Sequence, residues 1–599
     1  MHKKQEMKNP IKTLIRLFAY FRYQKVLFIC GILLISLSTV VQVLANGMIS
    51  PVVDAVAVHK DYQAFVKNIL IMGLLFLFVV LGQYLASKMM ARLAQETIYT
   101  IREDLSKKLV HLPISFYDQN SQGEIMSTFT NDIDVLTQSL EQSISQVILS
   151  IIQVIGTFLM MLYLNLSLSL IVIVLMALTL LGVNIVSRYS AKYFKKRQAL
   201  TAKLNGYVEE MISSQKLVQA YNYEHLSEEE FIDQSEELRE AQTKSASLAV
   251  MIMPLVFNLS FVMYALIAIF GSIQIIQGKM TIGNITAFLQ YSRNISRPIA
   301  QVSSQLNSIF SAIAGAERIF DLLDQKEENM EGEVRLIRKD GKDYWKDGEK
   351  TIPLQGQVEM VHVHFSYEKD QEILHNISLL AKPGQKIALV GSTGAGKTTI
   401  SNLITRFYDI QEGQILLDGI DVRRINKYDL RSSMAMVLQD VKLFSQSIEE
   451  NIRFGNLLAK EEDIIEAAKR ANAYPFISKL QNGFSTEIGD SKASLSQGER
   501  QLLSIARALI ADPQILILDE ATSSVDTRTE ELISEAMKEL MVGRTTFVIA
   551  HRLSTIRDAD EILVLEKGKI IERGNHQELM EEKGRYYNLN QNLFDSTIE

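Results

Sequence analysis

Long apolar runs alternate with charged, helix-periodic stretches over the first 310 or so residues, and after Val358 the pattern changes to short β-rich runs separated by helical segments. Five of the runs, Val26–Ala45, Ile69–Ala86, Val147–Leu164, Leu168–Val186 and Leu248–Ile273, predict membrane-spanning helices. About 20 residues rising 1.5 Å each cross a hydrocarbon core of about 30 Å. A sixth span, roughly Ile282–Val302, is interrupted by Gln290, Tyr291, Arg293, Asn294 and Arg297. Such a helix lines a wet cavity and ends in the cytosol.

Basic residues set the expected orientation. Lys3, Lys4, Lys8, Lys12, Arg16, Arg22 and Lys25 precede the first span, which places the N-terminus in the cytoplasm. The links after the second and fourth spans are also basic, whereas the turn Asn165–Ser167 has no basic residue and Gln274–Met280 has only Lys279. Each basic link runs about 60 residues with helical periodicity, so long helices project past the bilayer and turn back, near Phe116–Asp118 and Gly206–Gln215. Ahead of the spans, Ile11, Leu14, Ile15 and Phe18 recur at helical spacing with Lys12 and Arg16 opposite, which predicts an interfacial helix.

Asp324–Gln355 is charged and contains a hairpin turn, Asp340-Gly341, and the only tryptophan, Trp345. The expected organisation is a cytoplasmic segment over 1–25, a six-helix transmembrane domain over 26–323, a charged linker with a β-hairpin over 324–356, and a soluble α/β domain over 357–599. Strands are expected at Lys386–Val390, Ile515–Leu518, Thr546–Ile549 and Glu561–Leu565. The 599 residues, 47% hydrophobic with 30 Gly and 9 Pro, exclude a disordered or fibrous chain. A lone cysteine, Cys30, excludes an internal disulfide framework, and a net charge of −7 gives no footprint for nucleic acid.

The chemistry lies in the second half. Gly391-Ser392-Thr393-Gly394-Ala395-Gly396-Lys397-Thr398 matches GxxxxGK[ST] directly after one strand and before a helix. Its glycines let backbone N–H groups turn inward to phosphate oxygens, and the following helix N-terminus adds positive potential. Lys397 is expected on the β- and γ-phosphates and Thr398 on Mg2+. Ile515-Leu-Ile-Leu-Asp519-Glu520 is an apolar strand ending in two carboxylates, with Asp519 suited to the Mg2+ shell and Glu520 to polarising water. Together these motifs say P-loop NTPase.

Leu495-Ser496-Gln497-Gly498-Glu499 precedes a helix just upstream of that strand, and it resembles the LSGGQ signature of ABC transporters. The resemblance extends over essentially the whole chain and is to an ABC exporter half-transporter, an all-α six-helix transmembrane domain fused to an α/β P-loop ATPase. It implies that Tyr367 stacks on adenine, that Gln439 is the Q-loop glutamine, that Asp526 belongs to the D-loop Ser523-Ser-Val-Asp526, and that His551 is the switch histidine. The implied ATP contacts are Tyr367, Gly391, Ser392, Thr393, Gly394, Ala395, Gly396, Lys397, Thr398, Thr399 and Asp519. Mg2+ would fall to Thr398, Gln439 and Asp519, and catalysis to Glu520, His551 and Gln439. Ser496, Gln497, Gly498, Glu499 and Asp526 would act on ATP across a dimer of two such domains, with the projecting turns as coupling helices.

The signature departs from the family pattern, with Gln497 for glycine and Glu499 for glutamine. Thr486-Glu-Ile-Gly-Asp490-Ser-Lys also lacks the Glu-Arg-Gly end of the family's TEVGERG stretch. The resemblance is thus to one subunit of a bacterial heterodimeric multidrug exporter in the plasma membrane, this chain supplying the competent phosphate loop. A homodimeric lipid or peptide exporter, an ATP-gated channel and a regulatory subunit are the alternatives. Candidate cargo residues are Gln42, Gln83, Tyr84, Gln153, Asn184, Asn258, Tyr264, Gln290, Tyr291 and Asn294, uncharged and suited to amphipathic small molecules.

Overall fold

The computed structural model describes residues 10–368, 371–489, 495–520, 526–550 and 556–595. The chain divides into two compact units, one of residues 1–110 with 121–325 and one of residues 111–120 with 326–599.

The first unit is helical. Among the described residues, five stretches are long and apolar enough to cross a membrane: Lys25–Ala57, Tyr62–Val110, Gln122–Leu164, Leu166–Ser213 and Pro254–Ile276. The sixth expected span opens a continuous helix, Ile282–Leu323, whose polar residues keep it short of that composition. The helices Tyr62–Val110 and Leu166–Ser213 hold 49 and 48 residues. At 1.5 Å per residue each is about 70 Å long, more than twice the hydrocarbon core. Helices approach closely where one partner is small. A Cβ on Gly31 would lie 3.1 Å from Met90 Sδ, and one on Gly82 the same distance from Ser38 Cβ.

Several candidate cargo residues turn out to tie helices together. Gln83 donates to Gln42 at 3.2 Å, and the buried Tyr291 hydroxyl donates to the Val43 carbonyl at 2.7 Å. Their polar groups satisfy one another where water is scarce. Of the others, Gln153, Gln290 and Asn294 are half-buried, and Tyr84, Asn184, Asn258 and Tyr264 are exposed.

The N-terminal helix Pro10–Tyr20 buries Thr13 and Leu17 and leaves Ile11, Ile15 and Phe18 exposed, as an interfacial helix requires. Its polar side does not simply face water. Arg16 stacks over Phe320 at 4.4 Å and pairs with Asp324 at 2.6 Å, so the helix packs on the far end of Ile282–Leu323. The second projecting turn lies later than expected. Gly206 is interior to the helix that ends at Ser213, and the turn itself carries a short helix, Gln215–Ala220.

Among the described residues, the second unit contains three sheets. Strands β1 (Arg335–Lys339), β2 (Lys342–Asp347) and β3 (Lys350–Pro353) form an antiparallel meander. Strands β4 (Val358–Glu368), β5 (Gln371–Ala381), β7 (Glu412–Leu417) and β8 (Ile420–Asp421) form a second antiparallel sheet in the order β5-β4-β7-β8. The third sheet runs β13-β12-β6-β11-β10-β9. It is built from β6 (Lys386–Gly391), β9 (Met434–Val437), β10 (Ile515–Glu520), β11 (Thr545–Ala550), β12 (Glu561–Glu566) and β13 (Lys569–Gly574). All its pairings are parallel except β12 with β13.

The central strands read as unbroken apolar runs because both faces are covered. Ala388, Val390, Leu516, Leu518 and Val548 face a core shared with helices such as Gln497–Ala511, and Ile387, Leu389, Ile515, Ile517 and Phe547 face the core of the antiparallel sheet. The charged segment expected as a linker joins that second core. Trp345 is fully buried there and its Nε1 donates to Asp418 at 3.1 Å. An indole that buries its rings and satisfies its N–H anchors a meander otherwise covered in charge.

Candidate nucleotide site

Parallel strands deliver the expected phosphate residues to one edge. Asp519 opposes Ile549 on β11, which opposes Leu389 on β6, so the acidic end of β10 lies level with the start of the phosphate loop. Glu520 opposes Ala550, the last described residue before His551. On the other side Leu518 opposes Val437, and Gln439 follows two residues later, exposed. Loops after the carboxyl ends of parallel strands are where such sheets bind ligands. His551 lies outside the described residues, as do Ser523, Ser524 and Val525 of the D-loop and the side chain of Glu520.

The loop from Gly391 to Gly396 curls as phosphate binding requires. A Cβ on Gly391 would lie 2.3 Å from the Leu565 carbonyl oxygen, and Gly396 has φ +104° and caps the helix Lys397–Ile404. Ser392, Thr393, Gly394 and Thr398 are exposed, whereas Ala395 and Thr399 are buried beneath the loop. The Lys397 ammonium is folded back, donating to the Gly391 carbonyl at 2.6 Å and the Ser392 carbonyl at 3.1 Å. Burial pushes its pKa down, and Asp519 pulls it back up. A buried cation bound by neutral carbonyls, beside a carboxylate and a helix N-terminus, has the charge to take an oxyanion. This donor set fits a nucleotide polyphosphate with Mg2+, the metal drawing on the exposed Thr398, the exposed Gln439 and the half-buried Asp519.

Two supports were not read from the sequence. A Lys567-Gly568 turn holds the loop from below, with the Gly568 N–H donating to the Ala395 carbonyl at 3.2 Å and its own carbonyl accepting from the His375 N–H at 2.8 Å. Both turn residues have positive φ, which the sequence signals only as Lys-Gly between two strands. The other support is an aromatic cluster. Tyr367 stands edge-on to Phe365 and Tyr408, its hydroxyl donates to Thr399 at 3.3 Å, and it accepts from Asn402 at 3.3 Å. Tyr408 in turn donates to Asp118 on the short helix Ile114–Gln119. Burial and that carboxylate push the Tyr408 phenol well above its usual range. Asp118 lies in the first projecting turn, within the same compact unit as the nucleotide residues.

The signature segment forms a helix start. Ser496 is the N-cap of Gln497–Ala511, its hydroxyl accepting from the Glu499 N–H at 3.2 Å while Glu499 Oε2 accepts from the Ser496 N–H at 2.8 Å. Glutamate and glutamine serve equally at this position of a capping box, so Glu499 alone does not disturb the segment. Gln497 is the first helical residue and Gly498 is buried. Asp526 caps the helix Thr527–Met541, accepting from the Thr529 N–H at 3.0 Å, and that bond holds its carboxyl below the usual range.

Comparison with known proteins agrees with this geometry. Residues 28–299 match the ABC transporter transmembrane region and residues 374–523 the ABC transporter family. The chain is 37% identical over 594 residues to the uncharacterized ABC transporter ATP-binding protein YfiC of Bacillus subtilis (strain 168), covering 99% of this chain and 96% of that one. It is 39% identical to a fatty acid ABC transporter ATP-binding/permease protein of Mycobacterium bovis, covering 88% of this chain and 82% of that one. It is 35% identical to YheH of Bacillus subtilis, a probable multidrug resistance ABC transporter ATP-binding/permease protein, covering 88% and 77%. A helical membrane region fused to a P-loop domain, matched almost end to end, makes the chain a member of the ABC transporter family, a multi-pass exporter half-transporter whose ATPase activity is coupled to transport.

Proposed function

We propose that the chain is one subunit of a heterodimeric exporter that uses ATP to move amphipathic, lipophilic small molecules out of the cell, with both termini and the ATPase unit in the cytoplasm. The observation that carries the heterodimer is an intact phosphate-loop edge beside a signature in which Gln497 occupies a glycine position. A side chain there holds backbone away from a γ-phosphate approaching across the interface. The phosphate loop, Asp519 and Glu520 then complete the competent site with a partner's signature, and His551 contacts the γ-phosphate. A Mg2+ ion held by Thr398, Gln439 and Asp519 would neutralise charge between the β- and γ-phosphates. The cargo class is supported by the uncharged interior of the first five spans and by relatives whose names refer to a fatty acid and to multidrug resistance. A homodimer is favoured by one feature, the complete capping box that keeps Ser496 in place.

ATP-driven movement of a fluorescent amphipath into inside-out membrane vesicles tests the export reading. Accumulation that follows ATP hydrolysis supports it, and hydrolysis without accumulation of any amphipath overturns it. In the same vesicles Gln497→Gly is expected to raise turnover several-fold. Unchanged turnover would remove the argument for a weakened second site.

The Tyr367–Tyr408–Asp118 contact gives the nucleotide end of the unit a physical tie to the first projecting turn. Tyr408→Phe keeps the ring packing and removes the hydroxyl bond to Asp118. The expected loss is about 1 kcal/mol of coupling, read as a several-fold fall in cargo-stimulated over unstimulated ATPase rate. An unchanged ratio would mean that the tie carries nothing.

A further inference from the structure

Across the six spans the sequence places only two charges, Arg293 and Arg297, both on the helix Ile282–Leu323. Arg293 lies eleven residues past Ile282. That is about 16 Å along the axis, half-way through a hydrocarbon core of about 30 Å. Its side chain is exposed and makes no hydrogen bond or ion pair with any described residue. Among the described residues no carboxylate pairs with it. The first acid further along this helix is Glu317, and Asp54 at the outer end is committed to the Thr281 hydroxyl at 2.7 Å and the Gly283 N–H at 2.8 Å.

Arg293 belongs to a polar stripe of its helix. At 3.6 residues per turn, Gln290, Arg293, Asn294, Arg297 and Gln301 fall within about 100° of arc. Phe288, Tyr291, Ser292 and Ile295 on the remaining surface are buried. At the inner end of the stripe Gln301 bonds to Gln146 at 3.0 Å, while Gln290 and Asn294 flank Arg293 half-buried. An arginine does not shed its charge, and a permanent charge at mid-depth persists where it faces water or a partner anion.

We propose that Arg293 is a cargo contact and that the molecules this chain moves are anionic amphipaths, with a carboxylate or phosphate head on an apolar body. This rests on the export reading above and narrows it. The guanidinium takes either oxyanion through paired N–H donors, and the uncharged walls of the other spans accept the apolar part.

The test is equilibrium binding, without ATP, of three fluorescent probes sharing one long acyl chain: the free carboxylate, a phosphate monoester and the neutral methyl ester. The protein is the intact transporter purified in detergent with whatever partner accompanies it. Wild type is expected to bind one or both anionic probes more tightly than the ester. Arg293→Gln is expected to weaken anionic binding roughly 10- to 100-fold, to the level of the ester. Arg293→Lys, which keeps the charge, should recover part of the loss, and this separates the contact from a folding defect. Whether the carboxylate or the phosphate gains more identifies the head group. Equal affinity for all three probes in wild type, or undiminished anionic binding in Arg293→Gln, would overturn the proposal. A chain that binds anions through Arg293 yet accumulates nothing in vesicles would leave the contact standing and sink the export reading.

Discussion

Replacing Glu520 by glutamine is expected to leave ATP binding intact while lowering hydrolysis by about 10²–10⁴-fold, the usual worth of a positioned general base. Ile515–Leu518 is buried on both faces, so β10 is held rigidly between β9 and β11, and its last two residues emerge at the edge where the phosphate loop begins. Burial lowers the Lys397 pKa and Asp519 is near enough to offset part of that, which puts the first carboxylate on the phosphate side. The role proposed for Glu520 is to polarise the attacking water. Glutamine keeps the size and the hydrogen-bonding reach but cannot take the proton. The check is a pair of measurements on the purified transporter, nucleotide affinity and steady-state phosphate release. Turnover at the wild-type rate would remove Glu520 from the catalytic role, and loss of binding would assign it to the nucleotide instead.

Lys397→Ala should act at the earlier step. The lysine is buried in the curl of the loop and its ammonium is held by two carbonyls, so the cation is already stripped of much of its water. A hydrogen bond to a charged group contributes about 1.5–3 kcal/mol, and its removal is expected to weaken ATP binding roughly 10- to 100-fold. Titration with a fluorescent ATP analogue reads this directly. Unchanged affinity in the variant would mean that the ammonium stays on Gly391 and Ser392 when nucleotide binds.

Much of this was legible because the informative residues are contiguous. An apolar run long enough to cross a bilayer, a glycine loop between strand and helix, and an acidic strand end each declare themselves within about 20 residues. Three of the four strands expected around the phosphate site match β6, β11 and β12 to within one residue at either end, and β10 runs two residues past the expected Leu518, to Glu520. What was not legible depends on partners far apart in the chain. Trp345 anchors the charged meander because Asp418, 73 positions away, accepts its N–H, and no local pattern announces that. Tyr408 and Asp118 are 290 positions apart. Gln42 and Gln83 read as cargo residues because an amide in an apolar run looks unpaired until its neighbour helix is placed beside it. Glu499 is the instructive case. Ser496-x-x-Glu499 is a capping-box sequence in its own right, and comparison with LSGGQ drew notice only to what was missing.

The proposed pair is asymmetric, with this chain supplying the working phosphate loop. Its most direct test is purification of the tagged chain from its native membrane, with mass analysis of whatever copurifies in equal amount. The account predicts a second half-transporter with an orthodox signature and an altered catalytic glutamate. Recovery of this chain alone, as a dimer hydrolysing ATP at both sites, would contradict it.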